Sequence, residues 1–381
     1  MRRLIKFFKW LIGIIIALVL LAYVTDYEYI IKGARVVYLT GHTTAFIDDH
    51  GYFVNDTIPA SSQPQAWPMH TDYNSATPTE RLARTNESLG TVAFLIIKND
   101  SIWFENYAEN YGPTSQTNSF SMAKSITSAL MGKAIMEGHL SGLDHKVGDF
   151  YEEYKGSNLT VGDLSSMASG LDWNESYTSP FAVTARAYYD DDLAETILNQ
   201  KIVDTPGESF RYLSGNTELL GMVIQKATGK RLPDYLKESF WDPMGFEQPA
   251  LWQLDDDENR LAKSYCCIGS NARDFARFGK LYQNHGQWNG RQLLDSTFTA
   301  RSIVQRFEDS PEYGYGFWLS DHLGKHIFVM RGILGQYVIN IPEDDLIIVR
   351  LGHAIGNRTD KPFSSDFYVY VEEAYAMLSG S

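Results

Sequence analysis

The sequence predicts an α+β fold in which one antiparallel sheet lies beside a mostly helical part. Two β-rich runs, residues 91–97 and 102–107, are separated by Asn99-Asp100, a pair typical of a hairpin turn. Helical patterns dominate the middle of the chain, and β-rich runs return after about residue 310. Strands at both ends with helices between them favour one sheet shared by the two ends, with a binding cleft between the sheet and the helices.

Composition and charge exclude one class of partner. The 381 residues carry a formal net charge of -14, which argues against nucleic acid as a partner. Hydrophobic residues make up 44% of the chain, enough for a substantial core or for two subdomains that share a cleft.

Residues 1–24 are predicted to be a membrane anchor or signal segment. Four Lys or Arg residues and no acid lie within residues 1–10, and an unbroken apolar stretch follows over 10–24. Ala22-Tyr23-Val24 is a poor match to a signal cleavage site. We therefore expect an N-terminal transmembrane helix, a single-pass anchor in a bacterial cytoplasmic membrane. The rest of the chain would lie outside, periplasmic or extracellular, because the positive end stays in the cytoplasm. Secretion after signal cleavage is the alternative.

The remainder of the chain divides into two predicted parts. Residues 25–85 are predicted to form an extended membrane-proximal arm, with a possible strand at 34–39 and a Pro/Ser/Thr-rich run at 57–79. Residues 86–381 are predicted to form the main domain. Its sheet is expected from about 86–115 and 310–381, and its helical part from about 121–305.

Ser121 and Lys124 carry the strongest chemical signal. They stand at the head of a predicted helix over 121–137 that is apolar almost all the way round, and positions three apart lie on the same helical face. Burial lowers the pKa of a lysine, and a neutral amine can accept the proton of a serine hydroxyl. A Ser-x-x-Lys match also occurs by chance, and the lysine is then a solvated surface residue. The apolar setting favours the chemistry of a serine acyl-transfer enzyme.

No metal, nucleotide or phosphate motif is apparent in the sequence, and no cofactor is expected. The acidic runs at 190–192 and 255–258 lack the ligand spacing of a calcium loop and are typical of solvated helix starts. The two cysteines, Cys266 and Cys267, are adjacent; a bond between neighbours would be strained, and the pair makes a poor zinc site. We expect two small hydrophobic side chains at these positions.

Four segments carry a resemblance to a known family. Residues 86–381 resemble the penicillin-recognising serine hydrolases of the class C β-lactamase type. The matching segments are 120–125 (FSMAKS), 159–171 (LTVGDLSSMASGL), 206–217 (PGESFRYLSGNT) and 272–279 (ARDFARFG).

The resemblance implies a β-lactamase/transpeptidase-like fold and three catalytic residues. Ser121 matches the family's nucleophile and Lys124 its basic partner. Tyr212 matches the tyrosine of the second motif, Tyr-x-Asn, which passes a proton to the leaving group. A phenol beside an ammonium is expected to have a lowered pKa and to act as base and then as acid. The alternative is a core aromatic, since the chain holds 23 tyrosines.

The second and third motifs depart from the family pattern. Ser214 stands where the second motif has Asn, and it is a candidate substrate contact or a helix cap. Met330-Arg331-Gly332 stands at the third motif, where the family has a Lys or His first. The resemblance implies an oxyanion hole formed by the backbone N–H groups of Ser121 and Ile333. Arg331 and Gly332 are candidate substrate contacts, although Arg331 is expected on the strand face opposite Met330.

The pattern is closer to the esterase and 6-aminohexanoate-dimer hydrolase branch of the family. Members of that branch carry a Gly-Ile turn in the third region, comparable to Gly332-Ile333. They also carry a tyrosine on a mobile loop that closes over amide substrates, and Tyr177 is the matching candidate. A surface aromatic is the alternative at that position.

We therefore expect a serine hydrolase that cleaves a small ester or amide through an acyl-enzyme on Ser121, with Lys124 and Tyr212 as general base and acid. Its partners would be this small-molecule substrate and the membrane. A D-alanyl peptidase or β-lactamase is the first alternative, disfavoured by the missing third-motif Lys or His. A catalytically silent, anchored binding protein is the second, disfavoured by the joint presence of the three catalytic candidates.

Overall fold

A computed structural model of the protein describes residues 1–380. Its α-helices are α1 (Arg2–Val24), α2 (Tyr29–Val37), α3 (Glu80–Ser88), α4 (Met122–Met136), α5 (Val161–Ser165), α6 (Val183–Tyr189), α7 (Leu193–Leu198), α8 (Ser214–Thr228), α9 (Leu232–Leu236), α10 (Ala272–Gln283), α11 (Ser296–Ser302) and α12 (Ser365–Ser379). Its strands are β1 (Asn55–Ile58), β2 (Thr91–Lys98), β3 (Ser101–Tyr107), β4 (Thr117–Asn118), β5 (Ala250–Gln253), β6 (Ile268–Ser270), β7 (Gln287–Trp288), β8 (Arg291–Gln292), β9 (Trp318–Ser320), β10 (Ile327–Arg331), β11 (Tyr337–Ile341) and β12 (Leu346–Gly352).

The main sheet joins the two ends of the domain, as the strand pattern predicts. Its six strands are antiparallel in the order β3-β2-β12-β11-β10-β9. The hairpin β2–β3 turns at Asn99 and Asp100, which both have positive φ (49° and 61°), the geometry that two-residue hairpin turns favour. The C-terminal strand β12 pairs with β2, so Ile348 lies opposite Ile96. The predicted α+β fold class is confirmed.

Both faces of this sheet are covered, which explains the nearly continuous apolar runs of its strands. Phe94 and Ile96 belong to an apolar cluster with Phe367 of α12. The alternate residues Leu95 and Ile97 belong to the larger core shared with α4 and α10. The sheet is therefore a central layer, and α4 is held between it and the helical part.

A second, smaller sheet joins the segments around the head of α4. Its strands follow the order β1-β5-β6-β4. Strand β4 ends at Asn118, just before Ser121, and the following Ser119 donates its N–H to the Ile268 carbonyl of β6 at 2.8 Å. Ile268 in turn donates its N–H to the Ser119 Oγ at 3.0 Å. The loop that precedes β6 is thereby fixed beside the head of α4.

The region that follows α1 contains a helix where the sequence suggested a strand. The prediction of a strand at 34–39 is wrong, because residues Tyr29–Val37 form α2. Its buried residues Tyr29, Gly33, Val36 and Val37 recur at helical spacing and pack toward α6. Burial of that helical face outweighs the strand preference of Val36 and Val37.

Helix α1 has no buried residue and is long and apolar enough to cross a membrane. An apolar helix close to the N-terminus has the properties of a membrane anchor and of a signal sequence alike.

Candidate active site

The backbone just before Ser121 is held in a sparsely populated conformation. Phe120 has φ +44°, in the left-handed region that non-glycine residues rarely adopt. Its N–H donates to Asn118 Oδ1 at 2.9 Å, and Asn118 is itself buried. Such strain is typical of functional sites. It sets Ser121 at the head of α4, facing the cleft.

Lys124 is 2% exposed and its ammonium group has three hydrogen-bond partners. Nζ donates to Ser121 Oγ at 2.9 Å, to Ser214 Oγ at 3.1 Å and to the Tyr265 carbonyl at 2.9 Å. None of these acceptors is a carboxylate. Burial lowers the pKa of Lys124 to about 8, against the opposing effect of nearby acids. A substantial fraction of the amine is therefore neutral near that pH.

Tyr212 lies on the other side of Ser121. It is within hydrogen-bonding reach of the Ser121 side chain, and Lys124 Nζ lies 5.2 Å from the centroid of its ring. The ring packs against Trp318 at a centroid distance of 5.1 Å. The expectation of a lowered pKa is wrong, because burial raises the pKa of Tyr212 although Ser121 and Arg331 act to lower it. Tyr212 is therefore a neutral phenol at neutral pH, which suits a proton donor.

Ser214 connects Lys124 to a carboxylate that the sequence analysis did not single out. Ser214 begins α8, and its N–H donates to Glu175 Oε2 at 2.7 Å. Its hydroxyl donates to Glu175 Oε1 at 2.6 Å while accepting from Lys124. The hydroxyl of Tyr177, whose side chain is 49% exposed, also donates to Glu175. Glu175 thus ties the Tyr177 loop to the second motif. No sequence spacing distinguishes it from other loop acids.

The two backbone groups predicted for the oxyanion hole face a common cavity. Ser121 and Ile333 both line it. Within residues 1–380, neither the N–H of Ser121 nor that of Ile333 donates a hydrogen bond to the protein. A Cβ on Gly332 would lie 2.8 Å from the Ser119 carbonyl, so only glycine allows this close approach of the β10 end to the head of α4. Both N–H groups remain available to a ligand.

Arg331 faces the open cleft. Met330 is buried in the core on the opposite strand face, as the alternation predicts. The guanidinium of Arg331 lies 5.0 Å from the Trp318 ring centroid and donates to the Pro362 carbonyl at 2.9 Å. Arg331 therefore stands beside Tyr212 at the cleft wall, although it does not occupy the position of the family's Lys or His.

Ser121 stands where two spaces of different polarity meet. An apolar pocket extends to one side, and a more open, polar cleft extends to the other. The apolar pocket is lined mainly by Ala45, Phe120, Tyr177, Tyr188, Tyr189, Tyr265, Cys266 and Ile333. The polar cleft is lined by Glu175, Tyr212, Glu312, Trp318, Arg331 and Arg358, among others. A carbonyl compound with one apolar and one polar side matches this layout.

The adjacent cysteines are bonded to each other, which corrects the expectation of two free hydrophobic side chains. A disulfide joins Cys266 to Cys267, and Cys266 lines the apolar pocket. The bond lies at the end of the loop formed by residues 263–267, just before β6. Tyr265, whose carbonyl accepts from Lys124, lies directly before it.

Glu218 of α8 stabilises this loop through hydrogen bonds to Ser264. It is fully buried on α8, and its Oε2 accepts from the Ser264 N–H at 2.6 Å and from the Ser264 hydroxyl at 2.9 Å. Within the described residues its Oε1 has no hydrogen-bond partner. Burial raises the pKa of Glu218 to about 8. Lys263, also fully buried, donates to the Tyr188 carbonyl at 2.6 Å, so the loop contacts the pocket wall as well.

Comparison of the sequence with known protein families identifies the family of this chain. Residues 79–363 match the family model described as Beta-lactamase, which is well over half of the chain. The chain belongs to the beta-lactamase family. It therefore has the fold of a family of hydrolases, as the resemblance predicted.

Individual proteins resemble this beta-lactamase-family chain in sequence or in fold over most of its length. It is 24% identical over 301 residues to the 6-aminohexanoate-dimer hydrolase of Paenarthrobacter ureafaciens, covering 72% of this chain and 76% of that one. A Bacillus anthracis protein assigned as a 6-aminohexanoate-dimer hydrolase has a similar fold, with a TM-score of 0.71, 20% identity and coverage of 91% and 96%. A family VIII carboxylesterase also has this fold, with a TM-score of 0.59, 15% identity and coverage of 79% and 98%.

The site of this beta-lactamase-family protein has no evident place for a metal ion. Within residues 1–380, no group of three or more His, Cys, Asp or Glu side chains is arranged to hold one. The predicted residues Ser121, Lys124, Tyr177, Tyr212, Ser214, Arg331, Gly332 and Ile333 all lie around one cleft. Glu175, Glu218 and the Tyr265 carbonyl are additions that only the folded chain reveals.

The buried Glu218 predicts a pH-dependent stability. Its pKa in the folded chain, about 8, is above the ordinary value of 4.5, so folded protein binds more protons between these values. Its contribution to stability is full below pH 4.5 and is lost as pH rises through 8. Glu218→Gln cannot ionise. Between pH 6 and pH 9, the free energy of unfolding of the wild type should therefore fall relative to that of Glu218→Gln by more than about 1 kcal/mol.

Denaturant unfolding of both proteins in the same detergent at the two pH values measures this difference. Lys124 and Lys263 titrate in both proteins, and Glu218 acts to raise the pKa of each. Loss of Glu218 lowers both pKa values further, so the stability of Glu218→Gln rises more with pH and the lysines add to the predicted difference in the same direction. Glu152→Gln, an exposed carboxylate, is the matched control and should show no such pH-dependent difference. A constant difference between the wild type and Glu218→Gln would show that Glu218 is not protonated by burial.

Proposed function

We propose that the protein is a serine hydrolase that cleaves an ester or amide through a covalent acyl-enzyme on Ser121. The observation that carries the proposal is the buried amine of Lys124, 2.9 Å from Ser121 Oγ, with a pKa lowered to about 8 and no carboxylate bonded to it. A neutral amine at this position can accept a serine proton at physiological pH.

In the proposed acylation, Lys124 takes the proton from Ser121 Oγ as the oxygen attacks the substrate carbonyl carbon. Negative charge develops on the carbonyl oxygen, and the free N–H groups of Ser121 and Ile333 would stabilise it. Because these donors are fixed by the Phe120 conformation and the Gly332 turn, little reorganisation accompanies the reaction.

Collapse of this intermediate requires a proton for the leaving oxygen or nitrogen. Tyr212, kept neutral by burial, would donate its hydroxyl proton to that atom. The ammonium of Lys124 then restores the proton of Tyr212. In the second half-reaction a water molecule attacks the acyl-enzyme and loses a proton to the same pair, and Ser121 Oγ leaves protonated.

The altered third motif supports an ester or amide over a β-lactam or cell-wall peptide. In the family, the Lys or His at the first position of that motif helps to hold a substrate carboxylate. In this chain the first position is Met330, which is buried in the core and carries no charge. The proteins similar to this chain include a 6-aminohexanoate-dimer hydrolase and a family VIII carboxylesterase, which supports this choice. We also propose that α1 anchors the protein in the membrane, with the domain outside.

The proposal is tested by active-site labelling of the full chain in detergent. A fluorophosphonate probe should modify Ser121, and p-nitrophenyl acetate should be hydrolysed. Lys124→Met should lower kcat/KM by roughly 10²- to 10⁴-fold, the usual contribution of a general base. Ser121→Ala is the control that should abolish labelling. A lasting penicillin adduct on Ser121 would favour the cell-wall alternative. Folded protein that forms no adduct with any of these compounds would refute the proposed enzymatic function.

The pH dependence of the reaction is a second prediction. The reactive form contains neutral Lys124, so kcat/KM should rise with pH through about 8. The carboxylate of Glu175 opposes the loss of the Lys124 proton. Glu175→Gln should therefore lower the pKa of Lys124 and move the acid limb of the profile to lower pH.

Glu312→Gln is the matched control for this profile, because Glu312 lines the same cleft without affecting the pKa of Lys124. Its acid limb should coincide with that of the wild type. An acid limb that stays in place in Glu175→Gln, or moves to higher pH, would contradict the assignment of the limb to Lys124.

A further inference from the structure

The link between the membrane-spanning candidate and the domain is fixed by side-chain contacts. Four residues separate α1 from α2. Within this link, Asp26 accepts from Arg186 Nη1 of α6 at 2.6 Å. The Arg186 guanidinium also lies 4.6 Å from the ring centroid of Tyr29. The end of α1 is therefore held against α6, and the domain has a defined side that faces the end of the helix.

That side of the domain is also a wall of the apolar pocket. Tyr188 and Tyr189 of α6 line the pocket, and Ala45 of the N-terminal region lines it too. Gly33 of α2 packs so closely on Tyr189 that a Cβ there would lie 3.1 Å from the ring. Tyr23, in the last turn of α1, lines a surface cleft together with Tyr189. One layer of side chains thus separates the pocket from the end of α1.

The loop that carries Glu175 and Tyr177 extends to the same side of the domain, next to the link. Its Phe181 is 71% exposed, and its ring contacts that of Tyr27 in the link at a centroid distance of 6.1 Å. Tyr38 and Leu39, just after α2, are 68% and 82% exposed. Tyr27 and Phe181 form an exposed apolar rim beside the end of α1, whereas Tyr38 and Leu39 follow the opposite end of α2. Tyrosines at the end of a membrane helix are typical of the membrane–water interface.

Ion pairs balance part of the negative charge around the link. Asp26 and Asp190 share Arg186, and Asp191 is paired with Lys32. Glu28, within the link, forms no ion pair among the described residues. An exposed apolar rim next to a membrane helix is removed from water when it contacts the bilayer, which stabilises that contact.

We propose that the rim of Tyr27 and Phe181 rests on the bilayer surface, so that the apolar pocket receives the acyl chain of an amphiphilic ester or amide directly from the membrane. The inference rests on the proposed function and names its substrate class. The acyl chain would lie against Tyr188, Tyr189 and Ile333, and the polar leaving group would occupy the cleft beside Arg331. The acyl–oxygen or acyl–nitrogen bond breaks, water supplies the hydroxyl group, and a free acid and an alcohol or amine are released.

The contact with the bilayer is tested with the full chain in phosphatidylcholine nanodiscs. A spin label on Phe181→Cys should collide more with oxygen, which concentrates in lipid, than with a water-soluble nickel chelate. The matched control is a label on Leu323→Cys, which is 51% exposed in the connection between β9 and β10. Equal accessibility profiles at the two positions would overturn the inference.

The substrate class is tested with the same nanodiscs. Phe181→Ser should lower the turnover of p-nitrophenyl dodecanoate dispersed in the discs by at least about five-fold, the expected cost of losing one apolar interfacial side chain. The turnover of soluble p-nitrophenyl acetate should be unchanged, which also reports correct folding. Leu323→Ser should change neither rate.

The two proposals fail in different ways. Equal dodecanoate turnover by Phe181→Ser and wild type, with acetate hydrolysed normally, would overturn the membrane inference and leave the hydrolase intact. Absence of both activities in the wild type would refute the hydrolase, while the spin-label result still decides whether the rim touches lipid.

Discussion

The site depends on how the fold satisfies one buried amine. Lys124 lies on a helix without a polar face, where an unpaired ammonium is very costly. Its three acceptors come from three separate elements: Ser121 at the head of α4, Ser214 at the head of α8, and the Tyr265 carbonyl from the loop before β6. Each element must therefore be fixed for the amine to be held. Because none of the acceptors is charged, burial keeps the pKa of Lys124 low.

Two acidic side chains lie close to this amine without bonding to it directly, and they moderate the effect of burial on its pKa. Glu175 is reached through the Ser214 hydroxyl, and Glu218 through the backbone of the loop that it holds at Ser264. Both act to raise the pKa of Lys124 without forming an ion pair with it. The arrangement avoids a direct salt bridge, which would keep the lysine protonated and unable to act as a base.

The sequence predicts features that depend on local spacing, and it fails where tertiary packing decides. The Asn99-Asp100 hairpin and the Ser121–Lys124 pair follow from short-range patterns, and the fold class follows from the order of the strand-rich runs. Glu175 and the Tyr265 carbonyl belong to loops whose paths only the folded chain defines. The raised pKa of Tyr212 could not be predicted either, because it depends on how deeply neighbouring elements bury the phenol.

In the proposed reaction, Ser121 carries the acyl group during turnover. Full-length protein would be quenched in acid during hydrolysis of p-nitrophenyl acetate, and the acetyl group located by peptide mass spectrometry. We expect an acetyl ester on Ser121 that disappears when the substrate is exhausted. Steady turnover with no acetyl group on Ser121, or turnover that persists undiminished in Ser121→Ala, would contradict it.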